Sequence, residues 1–175
     1  MAAGKGTRMK SDRPKVLHLL AEQSLLHHVL QTCTALGAVR TIVITGHGAE
    51  VVEAAAAGPG IAFARQMPQL GTGHAVQQAV PHLGDEPGSV TLILNGDVPL
   101  IRADTARALI EACGGERLAL LTVNLKNPHG YGRIVRQGDR VTAIVEQKDA
   151  SPAQLAIHEG YTGMMAAPTA WLKRA

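Results

Sequence analysis

The sequence predicts an α/β fold, and three observations support that prediction. An unbroken β-branched run occurs at 41–45 and a strongly hydrophobic run occurs at 90–94, and each has the length of one buried strand. Segments with helical periodicity separate such runs, and glycine ends several of them. The run at 90–94 stops at Asn95-Gly96-Asp97, which puts polar side chains directly after a strand. Strands that alternate with helices form a mostly parallel sheet with helices on both faces.

The first half of the chain supplies three helices and two strands. Ser24 is predicted to cap the first helix, and Gly37 is predicted to end it. The helices are expected at 25–36, at 49–57 and, opened by Gly71-Thr72-Gly73, from His74 to about His82, and the strands are expected at 41–45 and 61–65.

In the second half the pattern changes to shorter strands. Asp104 is predicted to cap a helix that runs to Cys113. From Gly130 onward, two short segments around a Gln137-Gly138-Asp139 turn indicate an antiparallel hairpin beside the parallel core. Strands are expected at 90–94, 117–125, 132–136, 140–146 and 159–167, with a helical turn from Ser151-Pro152.

Composition limits the classes of function. With 175 residues, of which 46% are hydrophobic and 18% charged, the chain is expected to form one domain around one sizeable core. The net charge is only +3 and the charges are interspersed after residue 15, which argues against nucleic-acid and membrane partners. Cys33 and Cys113 fit no metal-binding spacing and are expected to be free thiols of a cytoplasmic protein.

The first fifteen residues form a candidate phosphate-binding loop. Gly4, Gly6 and the neighbouring alanines expose backbone amides, and five cations surround one acidic residue. The spacing fits no dinucleotide-binding fingerprint, because Met9 stands where its third glycine would be, and no Walker A loop, because Thr7-Arg8 follows Gly6. A solvated basic tail remains the alternative.

Two further positions are candidates for ligand contacts, because ligands of open α/β sheets bind beyond the carboxyl ends of the strands. Asp97 is placed to hold Mg²⁺ that bridges phosphate oxygens, although an ordinary turn aspartate is the alternative. Gly71-Thr72 begins a helix, whose free amides attract an anionic group, or is simply an ordinary helix start.

Five motifs in order resemble those of the sugar-nucleotidyltransferase family, over essentially the whole chain. They are Ala2-Ala3-Gly4-Lys5-Gly6-Thr7-Arg8-Met9 with Pro14-Lys15, Gln66-x-x-Gln69-Leu70-Gly71-Thr72-Gly73, Gly96-Asp97-Val98-Pro99-Leu100, Gly130-Tyr131-Gly132-Arg133-Ile134 and Ile144-Val145-Glu146-x-Lys148-Asp149. Within the family, they are most similar to uridylyltransferase domains that act on N-acetylglucosamine 1-phosphate. The resemblance implies a Rossmann-like nucleotidyltransferase fold.

The resemblance also implies a role for each matched residue. Arg8 and Lys15 would be catalytic and neutralise the triphosphate and the developing pyrophosphate, and Asp97 would ligate Mg²⁺. Gly132 and Glu146 would hold the sugar, together with Tyr161, which stands where the family usually has a sugar-contacting asparagine. The nucleotide-binding residues would be Ala2, Ala3, Gly4, Gly6, Lys15, Gln66, Gln69, Gly71 and Thr72.

The implied reaction is in-line attack by the sugar 1-phosphate oxygen on the α-phosphorus of UTP. It gives UDP-N-acetylglucosamine, a cell-envelope precursor, and pyrophosphate. The attacking phosphate is ionised at neutral pH and needs no general base, so catalysis would consist of positioning and charge stabilisation.

Departures from the family pattern suggest a partial domain spanning 1–175. Met1 takes the place of the last residue of the strand that precedes the family's loop, so we expect the central first strand to be missing. Asn95 stands where relatives often have tyrosine. A second metal-binding asparagine and an acetyltransferase domain, through which the parent enzyme would form a homotrimer, are expected beyond Ala175. The chain alone is therefore expected to be nearly inactive.

Two alternatives remain for the function. The nearest is a nucleotidyltransferase for glucose or mannose 1-phosphate, although Gly130-Tyr131-Gly132-Arg133-Ile134 followed by Glu146 favours N-acetylglucosamine. The other is a nucleotide-binding regulator without turnover, against which the presence of Arg8, Lys15 and Asp97 argues.

Overall fold

A computed structural model describes residues 1–4, 6 and 9–174. The helices in this part of the chain are α1 Leu25–Ala35, α2 Ala49–Ala56, α3 Thr72–Ala79, α4 Ala103–Cys113, α5 Pro152–Leu155 and α6 Thr169–Leu172. The strands are β1 Leu19–Leu20, β2 Gln23–Ser24, β3 Thr41–Thr45, β4 Ile61–Arg65, β5 Val90–Ile93, β6 Ala119–Asn124, β7 Gly132–Gln137, β8 Arg140–Val145 and β9 Glu159–Pro168. Short 3-10 helices lie at Lys15–Leu17 and Val80–His82.

The sheets are arranged around β3 and β9. β3 pairs in parallel with β4, whereas the long β9 is antiparallel to β5, β6 and β7. Since β5 and β6 are both antiparallel to β9, these two strands run in the same direction, as the strand and helix alternation requires. β7 and β8 form the expected antiparallel hairpin.

Helices cover both faces of the parallel pair β3–β4. Val43 packs with Leu26 of α1 and Val52 of α2, whereas the next residue, Ile44, packs with Ala75 of α3. Adjacent strand residues point to opposite faces, so one short strand contributes to two apolar layers. The predicted α/β architecture is confirmed.

Most predicted helix boundaries are correct, and one predicted cap is wrong. Ser24 caps α1 by accepting a hydrogen bond from the amide of His27, at 3.1 Å. The N-cap of α4 is Arg102, so Asp104 already lies in the first turn of the helix. The extended backbone ends at Arg102, and the Asp104 carboxylate pairs with Arg102 and Arg107 instead of capping.

The sequence pattern also missed two small elements. β1 and β2 form a tight hairpin through Ala21 and Glu22, which adopt positive φ values of 47° and 68° without the glycine or asparagine that normally marks such a turn. The short α6 follows β9 directly. Cys33 and Cys113 are free thiols, as predicted. Each helix in the described part of the chain is too short or too polar to cross a membrane.

Met1 to Ala3 lie between the carboxyl ends of β3 and β5. The amide of Ala2 donates to the Ile44 carbonyl at 2.7 Å, and the Gly96 amide donates to the Met1 carbonyl at 2.8 Å. Within residues 1–4, 6 and 9–174, no strand fills the rest of the space between β3 and β5.

Candidate functional site

The described part of the N-terminal loop is anchored at the carboxyl ends of the parallel strands. Ala2 and Ala3 are buried, whereas Gly4 is exposed. The Ala3 carbonyl accepts a hydrogen bond from the Gln69 side-chain amide at 2.5 Å and another from the His47 amide at 3.3 Å. These bonds connect two of the predicted nucleotide-binding segments, the loop and the stretch that begins at Gln66.

Lys15 and Asp97 form the electrostatic centre of the site. Lys15 opens the 3-10 helix that follows the loop, Asp97 follows β5, and the Lys15 ammonium forms a salt bridge with Oδ2 of Asp97. The two side chains are 34% and 30% exposed, so a ligand has access to both. Gly6 lies against Lys15 with a φ of +59°, and a Cβ there would come within 2.7 Å of the Lys15 Cβ.

The carboxylate oxygens of Asp97 could ligate Mg²⁺ only if phosphate oxygens of a substrate supplied further ligands. Across the described residues, no cluster of three histidine, cysteine, aspartate or glutamate side chains could hold a metal ion. Mg²⁺ commonly binds through one or two carboxylates, with substrate phosphates and water completing an octahedron. The single Asp97 carboxylate beside the candidate phosphate-binding loop would meet that requirement only together with the phosphates of a bound nucleotide.

Gln66 organises the start of α3. Its side chain is only 3% exposed, and its amide donates to the Gly71 carbonyl at 2.8 Å and lies 3.3 Å from Nδ1 of His74. Gly71 is the N-cap residue of α3, with a φ of 107°, and Thr72 is its first residue. The predicted helix start is therefore confirmed, and its free amides face the same end of the sheet as the loop.

Gly46 is a site residue that the sequence reasoning missed. A Cβ at this position would lie 2.5 Å from Nε2 of Gln69 and 2.9 Å from the Ala3 carbonyl oxygen, so only glycine allows these two residues to meet. The signal in the sequence is its place directly after β3, at a carboxyl end. Next to it is a cavity of about 570 Å³, lined by Gly46, His47, Gly48, Met67, Pro68 and Gln69.

The three predicted sugar-binding residues come together: Gly132 lies on β7, Tyr161 lies on β9, and Glu146 directly follows β8. Gly132 is the pairing partner of Tyr161, and a Cβ at Gly132 would lie 3.5 Å from Oε1 of Glu146. Burial, together with the negative charge of Glu146, raises the pKa of Tyr161. Its hydroxyl is buried and has no hydrogen-bond partner among the described residues, which is unusual for a buried polar group.

Asn95 connects the two halves of the site and was not predicted to be functional. Its side-chain amide donates to the Thr162 carbonyl at 3.1 Å, across from β5 to β9. Gly163 has a φ of +81°, and a Cβ there would meet the Asn95 amide at 2.8 Å. The absence of a side chain at Gly163 thus lets Asn95 join the segment that carries Asp97 to the segment that carries Tyr161.

The structure therefore brings together the described nucleotide-binding candidates and, beside them, the sugar-binding candidates. Arg8, Lys5 and Thr7 lie outside the described residues, so the catalytic role of Arg8 stays a prediction. The roles of the other residues as ligand contacts also remain predictions, because the proximity of these side chains does not show which molecule binds there.

Curated relatives match almost the whole chain. A protein named "Bifunctional protein GlmU" from Methylibium petroleiphilum is 66% identical over 183 residues, and one with the same name from Albidiferax ferrireducens is 60% identical over 185 residues. Each match covers 99% of this chain but only 39% of the relative. The chain therefore spans about two fifths of the length of these proteins.

Solved structures share the fold at low sequence identity. A putative glucose-1-phosphate thymidylyltransferase from Bacillus anthracis superimposes with a TM-score of 0.79 at 17% identity, covering 98% of this chain and 70% of the other. A UDP-glucose pyrophosphorylase in complex with UDP-glucose gives a TM-score of 0.76 at 14% identity, covering 98% and 75%. At these identities the likeness concerns the fold alone.

The family comparison agrees with the architecture. The profile of the MobA-like NTP transferase domain matches residues 1–167, which includes the loop, both parallel strands, Asp97 and the sugar-binding candidates. The chain belongs to the family of MobA-like NTP transferase domains.

Proposed function

We propose that the protein of which this chain forms part transfers a uridylyl group from UTP to N-acetylglucosamine 1-phosphate, releasing pyrophosphate. The observation that supports this most directly is the Lys15–Asp97 pair, which lies beside the phosphate loop and is connected through Asn95 to the cluster of Gly132, Glu146 and Tyr161. The relatives named as bifunctional GlmU proteins, at 55–66% identity, add weight to it.

The nucleotide half of the site is built to receive a triphosphate. Lys15 and Asp97 neutralise each other in the free protein. A bound triphosphate offers Lys15 more negative charge than one carboxylate does, so Lys15 would turn to the phosphates and stabilise the leaving pyrophosphate. Asp97 would then be free to hold Mg²⁺, whose charge offsets that of the phosphates. Loop amides from Ala3 to Gly6 would complete the phosphate contacts.

The acceptor half positions the sugar phosphate for in-line attack. The Glu146 carboxylate accepts hydrogen bonds, and a sugar hydroxyl is the donor that would suit it. The buried Tyr161 hydroxyl would gain the partner that it lacks. Since the phosphate nucleophile is ionised at neutral pH, these residues need only hold and orient it.

The proposal also covers the location, the metal ion and the partners of the enzyme. We expect a cytoplasmic protein that uses Mg²⁺ and acts on UTP and the sugar phosphate, without nucleic-acid or membrane partners. Because the chain spans 39% of its relatives, we also propose that it is part of a longer homotrimeric protein whose trimer contacts lie outside this domain.

Pyrophosphate release tests the proposal. UTP, N-acetylglucosamine 1-phosphate and Mg²⁺ are supplied to residues 1–175 and to a longer chain that includes the flanking coding sequence. We expect the longer chain to be active and the shorter one to be nearly inactive. In the longer chain, Lys15→Ala should lower kcat roughly 10²–10³-fold, as loss of a charge-stabilising group does, whereas Lys173→Ala, at the end of α6 and outside the five motifs, should leave kcat unchanged.

Three other outcomes would change the assignment. Faster release with glucose or mannose 1-phosphate would indicate a different sugar specificity. UTP binding without Mg²⁺ dependence and without turnover in the longer chain would favour a nucleotide-binding regulator. Full activity of residues 1–175 would contradict the proposal that the domain is partial.

A further inference from the structure

His74 lies in the first turn of α3, between two side-chain amides. Its Nδ1 is 3.3 Å from Nε2 of Gln66, and its Nε2 is 3.1 Å from the side-chain amide of Gln78 in the next turn. The imidazole is half-buried. His74 therefore contacts a predicted nucleotide-binding residue, although the sequence motifs assign no role to it.

The Gln66 side chain reaches α3 because of the alternation along β4. Gln66 directly follows this strand, and its backbone amide extends the pairing with β3 by donating to the Thr45 carbonyl at 2.8 Å. Ala64, two residues earlier, packs with Ala75 of α3. Residues two apart in an extended segment share a face, so the buried Gln66 side chain faces α3 as well.

The Gly71 carbonyl determines which end of the Gln66 amide faces the start of α3. A carbonyl oxygen only accepts hydrogen bonds, so the amide end at 2.8 Å from it must carry N–H. The amide nitrogen has a second N–H, which His74 Nδ1 is placed to accept. One hydrogen bond would leave the amide free to rotate about it, whereas two bonds to fixed acceptors set the amide plane.

The same bonds determine the tautomer of His74. A neutral imidazole that accepts at Nδ1 carries its hydrogen at Nε2. That N–H meets the Gln78 amide, whose oxygen accepts it when the oxygen end faces the ring. A hydrogen on Nδ1 would instead oppose the N–H of Gln66. With both of its N–H groups engaged, Gln66 has only Oε1 left for a ligand, and Oε1 only accepts.

We propose that His74 is a positioning residue that fixes the Gln66 amide so that it presents only an acceptor to the nucleotide base. This inference rests on the proposed function. The pairing edge of uracil carries one ring N–H, which Oε1 would accept, whereas cytosine has a lone pair on the same ring nitrogen, which Oε1 would repel. His74 thereby makes the site select UTP over CTP.

Nuclear magnetic resonance tests the hydrogen bonds in residues 1–175 without substrate. The ¹⁵N shifts of the His74 ring should show an unprotonated Nδ1 and a protonated Nε2. In His74→Leu, the Gln66 side-chain N–H groups should exchange with solvent roughly tenfold faster, because one of them has lost its acceptor. In His74→Asn they should exchange as in the parent, because Oδ1 of asparagine is bonded to Cγ, like Nδ1, and accepts in its place.

Kinetics in the longer chain test the consequence for the base. Leucine and asparagine branch alike at Cγ, so His74→Leu and His74→Asn form a matched pair. His74→Leu should reduce the ratio of kcat/KM for UTP to kcat/KM for CTP roughly tenfold, since the released amide of Gln66 can also donate to cytosine. His74→Asn should keep most of the preference. The KM for the sugar phosphate should stay the same in both, which a general disturbance of the fold would not achieve.

Three results would overturn the proposal. The first is a protonated Nδ1 in the parent chain, and the second is an equal preference for UTP in the leucine and asparagine variants. The third is a parallel rise of KM for UTP, CTP and the sugar phosphate in His74→Leu, which would make His74 a purely structural residue. If the longer chain transfers no uridylyl group, the proposed function fails, whereas the ring shifts and the exchange of Gln66 still decide whether His74 holds Gln66. If residues 1–175 fail to fold, the kinetic pair decides.

Discussion

At the scale of single residues, Gly46 is important because it has no Cβ. Gln69 reaches the Ala3 carbonyl across the space that a side chain at position 46 would fill. We expect Gly46→Ala to separate Gln69 from the loop and to weaken UTP binding by at least tenfold. Gly73→Ala is the matched control, because a Cβ at Gly73 meets nothing within 4 Å. Calorimetric titration with UTP measures both; equal affinities would show that the contact is not needed.

Tyr161 offers a second test at this scale, because its effects on folding and on binding are expected to differ. Its buried hydroxyl has no partner in the described structure, so removing it takes away a desolvated polar group. Tyr161→Phe should leave the free energy of unfolding unchanged or raise it by up to about 1 kcal/mol. In the longer, active chain it should raise KM for the sugar phosphate severalfold, with KM for UTP unchanged. A large loss of stability would instead assign the hydroxyl a structural role.

At the scale of elements, the sequence pattern predicted the N-cap of α1 correctly and the N-cap of α4 incorrectly. Ser24 accepts a backbone hydrogen bond at the start of α1, whereas Asp104 makes only exposed ion pairs. Ser24→Ala should therefore cost about 1 kcal/mol of unfolding free energy. Asp104→Ala should cost less than about 0.5 kcal/mol, because exposed pairs contribute little. Urea denaturation checks both values, and a larger effect at Asp104 would restore its predicted cap.

The strands show why some elements follow from sequence and others do not. The run at Thr41–Thr45 is continuous and β-branched, so its length and burial can be inferred from the residues alone. The hairpin at Leu19–Ser24 carries no such signal, because Ala21 and Glu22 adopt positive φ only under tertiary constraint. Similarly, the antiparallel position of β9 between β5 and β6 depends on partners that are distant in sequence.

At the scale of the whole molecule, stability should depend on the charge of the N-terminal amine. Its pKa is about 6 in the folded chain, compared with 8.0 when unfolded. The unfolded chain thus binds more protons between these values, so the free energy of unfolding rises from pH 6 to pH 8 and is lower below pH 6. The full change is on the order of 2 to 3 kcal/mol. Removal of the charge by N-acetylation should flatten this slope.

Denaturation between pH 5 and pH 9, with mass spectrometry to confirm that Met1 is retained, measures the effect. The acetylated chain contains the same histidines, so the difference between the two chains isolates the amine. Identical pH profiles would mean that the Met1 nitrogen is not buried between β3 and β5.

The sequence by itself determined the α/β class, the main strands and helices, and the identity of most candidate site residues. These features depend on local periodicity, on glycine at turns and on motifs in a fixed order, all of which can be identified in the sequence. Only the tertiary structure decided that Lys15 pairs with Asp97, that Gly46 and Asn95 belong to the site, and that β3 and β5 border a common groove. The reason is physical: these contacts join residues that are far apart in the chain, and sequence spacing carries no information on which distant edges and side chains meet in the folded protein.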